Sequence, residues 1–345
     1  MNTIERFVDS PKGGPQEEEE QTNTLELTGE NYVEDTPRGL TRLLACCGIL
    51  KTPALAEEEE RSFPNASEYS YEEAVSRLLR QKSNPQKDTF THIKHIRQSE
   101  TWDCGIACLQ MILRWLRCTE DDYLSAMRGK IDRAYLLNQV ATQSIWTVDL
   151  IMLLEGLLKD NSITTAEVLN HNTTSYLFCS QVWGVNTEHS TTGYYEQAFV
   201  ADSARVNKLC EEMNRLNLPI LCPYQLEFQQ MINLISNRHC IAILLVDNHV
   251  LMQEAMATED SVNGEQDTYM GHYVVVCGIS TNPDHLVESY AMEEIAMQEP
   301  TDPYCIAVAN PGVSKPIMFV NPQRLERAWR ANGTDCDVIF IAKHA

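Results

Sequence analysis

The stretch from residue 98 to residue 116 constrains the fold more than any other part of the sequence. A polar, turn-forming approach, QSETWD, leads into Cys104 and Gly105, and a strongly apolar run follows as far as Leu116. This order predicts a buried helix with Cys104 in its first turn. The unpaired N–H groups and partial positive charge of a helix N-terminus favour a thiolate. We therefore predict a reactive cysteine, and Gln98, six residues upstream, could aim its side-chain amide at the same point.

The charge of the chain limits its partners. A formal net charge of −22 at pH 7 argues against nonspecific binding to nucleic acid or anionic membranes, since both depend on clustered Lys and Arg. Basic proteins are the expected partners. No apolar run reaches the roughly 18 residues of a membrane helix, and no apolar signal segment follows Met1. We therefore expect no integral membrane segment and a cytoplasmic or nuclear location.

The twelve cysteines do not predict disulfides or a metal site. Most of them lie inside apolar runs, which indicates reduced, buried thiols. No C-x-x-C pair occurs, and Cys104 and Cys108 are four residues apart, which argues against a structural zinc site.

The first 85 residues differ in composition from the rest. Glutamate runs at 17–20 and 57–60 and recurrent prolines leave little apolar surface to bury, so residues 1–85 are predicted to be a mostly disordered acidic leader. An apolar island at 40–50 contains Cys46 and Cys47, and it could dock on the domain, bind a partner or accept a lipid. A single folded domain is then predicted over residues 86–345.

Hydrophobic periodicity within this domain predicts helices first and short strands afterwards. A short strand is expected at 91–96 and a buried strand at 175–183, with helices at 104–116, 121–129, 148–159, 194–216 and 226–235. Further strands are expected at 240–246, 271–279, 304–309, 317–320 and 337–342, with a helix at 322–331. The acidic segment 282–303 is predicted to be an extended hairpin loop beside an active site. This order indicates an α+β fold rather than a doubly wound one.

A thiolate nucleophile needs a base, a group that orients the base, and donors for the oxyanion. His272 differs from the other histidines because it opens the β-prone segment GHYVVVCGI directly after Gly271, where another chain can approach closely. Asn310 ends a second strand at an Asn-Pro-Gly turn, where its amide could hold the imidazole. Taken singly, such a histidine is more often structural, and Asn-Pro-Gly is a common turn.

The order of glutamine, cysteine, histidine and asparagine resembles papain-like cysteine hydrolases. The segments QSETWDCGIAC, GHYVVV and Asn310-Pro311 are most similar to the branch that contains the double-glycine-leader peptidases. Within that branch, TWDCGIAC resembles the eukaryotic family of guanylyl cyclase domain-containing proteins. The resemblance spans about residues 90 to 343 and implies a papain-like fold, in which a central helix bearing the cysteine packs on an antiparallel sheet.

The resemblance also implies a role for each matched residue. Cys104 would be the nucleophile, His272 the general base and acid, and Asn310 the orienting residue, while Gln98 and the Cys104 N–H would form the oxyanion hole. The leader-peptidase branch usually carries aspartate where Asn310 stands, and asparagine cannot stabilise an imidazolium by full charge. The primary hypothesis is a hydrolase that cleaves an amide, isopeptide or thioester bond of a peptide or protein without a cofactor.

Two other functions stay open. The family name implies a guanylyl cyclase that forms cyclic GMP from GTP with Mg²⁺ or Mn²⁺, although the chain has no Gly-rich phosphate loop. A basic pocket for the nucleotide could draw on Lys94, Arg97, Arg114 and Arg117. The third hypothesis is a scaffold without enzymatic activity whose acidic leader recruits basic partners.

Overall fold

The computed structural model describes residues 70–80, 89–116, 132–140, 142–159, 171–186, 199–252, 269–291 and 302–344. All of them belong to one compact unit. The helices are α1 (Tyr71–Leu79), α2 (Cys104–Leu116), α3 (Arg133–Val140), α4 (Thr147–Lys159), α5 (Phe199–Arg215), α6 (Phe228–Ile235), α7 (Asn248–Met252), α8 (Pro283–Ala291) and α9 (Pro322–Trp329). The strands are β1 (Thr89–Phe90), β2 (Thr174–Cys179), β3 (Ile220–Leu221), β4 (Cys240–Asp247), β5 (Gly271–Ser280), β6 (Cys305–Ala309), β7 (Met318–Val320) and β8 (Val338–Lys343).

The described strands form one sheet in the order β3-β2-β8-β4-β5-β6-β7, and β1 pairs with β5. Only β2 and β3 run parallel; the other described pairs are antiparallel. The registers place Val246 opposite His272 and Ala309 opposite Val275. Strand β6 therefore ends beside the middle of β5, which leaves the first residues of β5 beyond the end of their neighbour.

Helices cover both faces of the sheet. Residues of α2, α4 and α5 share one core cluster with Tyr273, Val275 and Cys277 of β5. Residues of α1, α6 and α9 share a second cluster with Val274 and Val276. Since both faces of β5 are buried, its sequence is a continuous apolar run instead of an alternating one.

The predicted α+β class is confirmed, and most predicted elements appear with shifted ends. The strand predicted at 91–96 is wrong, because residues 91–98 have no regular secondary structure. The backbone N–H of Thr91 donates to the carbonyl of Cys277, and that of Gln98 to the carbonyl of Pro311. The segment is therefore attached near its two ends by single backbone hydrogen bonds instead of by regular strand pairing.

The hairpin loop predicted at 282–303 is also wrong in part, because it contains α8. The Asn282 side chain accepts a hydrogen bond from the Asp284 amide at 3.0 Å, and proline follows at the first helical position, a combination that starts helices. Helices α3 and α7 were not expected from the sequence.

Four other expectations can be compared with only part of the structure. The helix predicted at 121–129 and the apolar island at 40–50 lie outside the described residues. The nine described cysteines are all free and buried, as expected. Within the described ranges, no helix has the length and apolarity to cross a membrane.

Candidate active site

Cys104 is the first residue of α2, as predicted, and only 6% of its surface is exposed. Burial raises the pKa of its thiol, although hydrogen bonds from the backbones of Tyr273 and Gly105 partly oppose this. The helix N-terminus alone predicted a thiolate. Desolvation disfavours the charged form more strongly, so the resting cysteine is a neutral thiol.

The turn before Cys104 is closed by Asp103, whose role was not recognised from the sequence. The buried Asp103 carboxylate accepts hydrogen bonds from the Ser99 amide at 3.1 Å and the Glu100 amide at 2.9 Å. It also forms an ion pair with Arg133 of α3, whose guanidinium lies 6.0 Å from the centre of the Trp102 ring. An aspartate directly before a predicted helix indicates an N-cap that accepts from the first helical amides. Here the carboxylate instead binds the amides of the preceding turn and Arg133, a role that this signal does not reveal.

Gln98 lies at the start of the same turn. Its Nε2 donates to the Glu100 carbonyl at 2.9 Å, which uses one of the two N–H groups of a carboxamide and leaves the other for a ligand. Its Oε1 is buried without a hydrogen-bond partner in the described part of the chain. The structure thus holds the Gln98 amide in the turn that leads into Cys104.

His272 and Asn310 are brought into direct contact. The distance from His272 Nε2 to Asn310 Oδ1 is 2.8 Å, and both residues are buried. Because Oδ1 can only accept, Nε2 carries the proton and Nδ1 is left as an acceptor. Burial lowers the pKa of His272, and the Asn310 hydrogen bond partly offsets this, so the resting imidazole is neutral.

Asn310 is itself held by its surroundings. Its Oδ1 also accepts from the Gly312 amide at 2.8 Å, and its Nδ2 lies 3.5 Å from the sulfur of Met252. A Cβ atom at Gly312 would lie 3.1 Å from Asn310 Oδ1 and 3.4 Å from His272 Cε1. A side chain at residue 312 would therefore crowd Asn310 and the imidazole, a constraint that the Asn-Pro-Gly sequence alone did not reveal.

The segment before α2 joins the two halves of the site. Nε2 of His95 lies 2.9 Å from the Asn310 carbonyl oxygen. The backbone N–H of Gln98 donates to the Pro311 carbonyl at 3.0 Å. The Cys104 thiol meets β5 at the backbone of Tyr273, one residue from His272. In the described contacts no hydrogen bond joins the thiol to the imidazole directly.

Three of the four basic residues proposed for a nucleotide pocket lie in the described ranges. Lys94, Arg97 and Arg114 are exposed, and Arg114, ten residues along α2, lies about 15 Å from Cys104 at the usual helical rise. Arg117 lies outside the described residues. Among the residues that the structure describes, no three His, Cys, Asp or Glu side chains are grouped to hold a metal ion.

Comparison with known proteins assigns the family. A family model described as guanylylate cyclase matches residues 93–341, a span that contains Gln98, Cys104, His272 and Asn310. The chain is also 26% identical over 256 residues to guanylyl cyclase 1 of Arabidopsis thaliana, an alignment that covers 72% of this chain and 75% of that protein. These names favour the cyclase alternative over the cysteine-hydrolase hypothesis, and they leave the papain-like relationship a prediction. The family resemblance drawn from the motifs is thereby confirmed: the chain belongs to the guanylyl cyclase family.

Proposed function

We propose that Cys104, His272, Asn310 and Gln98 form a thiol acyl-transfer centre in a papain-like arrangement. The observation that carries this proposal is the 2.8 Å contact between His272 Nε2 and Asn310 Oδ1, because it leaves Nδ1 as a proton acceptor. The location of the thiol one residue from His272 supports the same conclusion. The substrate is an amide, isopeptide or thioester carbonyl of a peptide or protein, and no cofactor is needed.

The reaction proceeds in two halves. Nδ1 of His272 takes the proton from the Cys104 thiol while the sulfur attacks the carbonyl carbon, and the negative oxygen is bound by the Cys104 backbone N–H and the free N–H of Gln98. The imidazolium then protonates the leaving group, which departs and leaves an acyl thioester. Water, deprotonated by His272, attacks this thioester. The carbon–sulfur bond breaks, the carboxylic acid is released, and the imidazolium returns its proton to the sulfur.

The resting state in this proposal is a neutral pair. Burial raises the pKa of Cys104 and lowers that of His272, and both shifts disfavour a preformed thiolate–imidazolium pair. We therefore expect slow alkylation of the free enzyme at neutral pH and a steady increase as the pH rises. The helix N-terminus alone had led us to expect a highly reactive Cys104, and the burial of the thiol replaces that expectation.

A second candidate is the formation of cyclic GMP, favoured by the family match and by the name of the Arabidopsis relative. In that reaction the ribose 3′-hydroxyl of GTP attacks the α-phosphorus and pyrophosphate leaves. The four proposed site residues supply a thiol, an imidazole and two carboxamides, whereas Mg²⁺ prefers carboxylate oxygens. The adjacent Asp103 carboxylate is already engaged by Arg133 and two backbone amides. This set of groups does not fit the metal.

One experiment separates the two candidates. The full chain, Cys104→Ala and the matched control Cys108→Ala are compared in three assays: iodoacetamide labelling at pH 7 and pH 9, hydrolysis of peptide thioesters, and cyclic GMP formation from GTP with Mn²⁺. Cys108 is buried one turn along the same helix, and its sulfur contacts the Tyr273 carbonyl oxygen at 3.3 Å. A thermal melt confirms that each variant is folded.

We expect Cys104→Ala to remove labelling at residue 104 and to lower hydrolysis by about 10³-fold or more, with Cys108→Ala close to wild type. Hydrolysis that is unchanged in Cys104→Ala would refute the thiol mechanism. Cyclic GMP formation that survives Cys104→Ala, with no hydrolysis by wild type, would establish the second candidate.

A further inference from the structure

A cavity opens beside the site, where β2 ends, α4 begins and the chain enters β8. The residues that define its chemistry are Trp146, Thr147, Ser180, Trp183, Asp335 and Asp337, and none of the described residues that line it is Lys, Arg or His. Two indole side chains and two carboxylates thus share one concave surface, and the described part of its lining has no basic residue. Such a surface favours a cationic group, which the carboxylates attract and indole faces also bind.

Asp337 is the central acceptor of this cavity. Its carboxylate accepts a hydrogen bond from the Thr147 hydroxyl, and it forms no ion pair within the described part of the chain. Burial, with a smaller contribution from the Asp335 charge, raises the pKa of Asp337 to about 7 despite hydrogen bonds from Ser180 and Thr147. A carboxyl this close to neutrality lacks a positive partner, and a bound cation would supply one.

Trp183 adds an unused donor to the same cavity. Its indole nitrogen is buried and has no hydrogen-bond partner among the described residues, whereas the indole nitrogen of Trp146 donates to the Ser144 hydroxyl at 3.2 Å. A buried N–H without an acceptor is costly. This N–H is available to an acceptor, so the cavity fits a ligand that carries both a cation and a neighbouring oxygen.

The cavity is connected to the candidate active site by one side chain. The Tyr273 hydroxyl lies 3.0 Å from Thr147 Oγ1, and Thr147 in turn contacts Asp337. The backbone of Tyr273 hydrogen-bonds the Cys104 sulfur. A ligand in the cavity therefore lies one tyrosine side chain away from the thiol.

We propose that this cavity binds the free amino terminus of a peptide. The α-ammonium group pairs with Asp337, and the first carbonyl oxygen accepts the hydrogen bond of the Trp183 indole. A lysine side chain or a simple amine supplies the cation without the adjacent carbonyl, and an acylated amino terminus supplies the carbonyl without the charge. The binding site does not require Cys104 to be catalytic, so it can be tested separately from the proposed function.

The test measures affinity by tryptophan fluorescence and calorimetry on the full-length Cys104→Ala protein, in which turnover is absent. Three probes are compared: alanyl-alanine amide, its N-acetylated form and butylamine. We expect the free dipeptide amide to bind about tenfold or more tightly than either of the others, since each lacks one of the two contacts. Equal affinity for the acetylated probe would overturn the proposal without any variant being made.

Two variants and one control locate the site. Asp337→Asn should weaken binding of the dipeptide amide by about tenfold or more, because the ammonium loses a charge-assisted contact. Trp183→Phe keeps an aromatic ring but removes the N–H, so it should abolish the preference for the dipeptide amide over butylamine. Asp284→Asn, at an exposed position of α8, should leave the affinity for the dipeptide amide unchanged. Unchanged binding in folded Asp337→Asn would refute the assignment.

The pH dependence provides an independent readout. The titratable groups that face Asp337 are Asp335 in its own turn, Tyr273 of β5, and the thiols Cys179, Cys210, Cys222 and Cys336. The phenol and thiol pKa values are all raised, so these groups stay neutral near pH 7. Affinity should rise as Asp337 ionises around pH 7 and fall above about pH 8 as the peptide amine deprotonates. Affinity that is flat between pH 6 and pH 9 would contradict this assignment.

Discussion

Asn310 is the residue on which most contacts of the candidate site converge. Its side-chain oxygen accepts from His272 and Gly312, and its backbone carbonyl contacts His95. It thereby sets the tautomer of the imidazole and connects β6 to the segment that leads into Cys104. An asparagine can perform this role without charge, which is consistent with a neutral thiol and a neutral imidazole.

At this scale we predict that Asn310→Ala lowers Cys104-dependent turnover by about 10- to 100-fold. Asn310→Asp should retain most of the turnover and move the acid limb of the pH profile to higher pH. The reason is that a carboxylate stabilises the imidazolium and raises the His272 pKa, so more base is needed to obtain the neutral form. Rates measured from pH 5 to pH 9 test this, and an acid limb that stays in place would contradict it.

At the scale of elements, α2 is positioned as much by the turn before it as by its own apolar sequence. The buried Asp103 carboxylate accepts hydrogen bonds from two backbone amides and pairs with Arg133 of α3. The turn that carries Gln98 is consequently attached to a second helix by the Asp103–Arg133 ion pair.

We predict that Asp103→Ala destabilises the protein by about 1–3 kcal/mol, because two backbone amides and a guanidinium lose their acceptor. The matched control is Arg77→Gln, which breaks the exposed Glu73–Arg77 pair of α1 and should cost about 0.5 kcal/mol or less. Urea unfolding of both variants measures the difference. An equal loss of unfolding free energy in the two variants would show that the hydrogen bonds of Asp103 add no more stability than an exposed ion pair.

At the scale of the whole molecule, the part of the chain that packs on the sheet begins before residue 86. Helix α1 buries Ala74 and Leu78 in the second core cluster, and the Ser175 hydroxyl donates to the Leu78 carbonyl at 2.6 Å. Ser70 caps this helix by accepting from the Glu73 amide at 3.2 Å. The domain boundary at residues 85/86 stays a prediction that a pair of truncations can test.

We predict that a chain beginning at Ser70 melts at the temperature of the full protein, whereas one beginning at Gln86 loses about 2–5 kcal/mol. The loss follows from the space left by two buried apolar side chains over the sheet. Calorimetry on both proteins decides the matter. If they melt at the same temperature, α1 does not stabilise the domain and the boundary at 85/86 is supported.

The sequence by itself determined those features that depend on neighbouring residues. The polar approach and apolar run around Cys104 predict the helix and its start, and the apolar runs at 271–279 and 304–309 predict the strands that become β5 and β6. It also placed His272 and Asn310 at strand ends, where the structure brings them together. These features follow from local periodicity and turn chemistry.

Only the tertiary structure decided what depends on contacts between distant residues. Burial against β5 makes Cys104 a neutral thiol despite its helix N-terminus, and the turn at Asn310 holds residues 95–98 outside the sheet. Arg133 pairs with Asp103, which is 30 residues away in the sequence. Thr147 donates to Asp337, which is 190 residues away. The dielectric environment and the hydrogen-bond partners of a side chain are set by such long-range contacts, which no local pattern encodes.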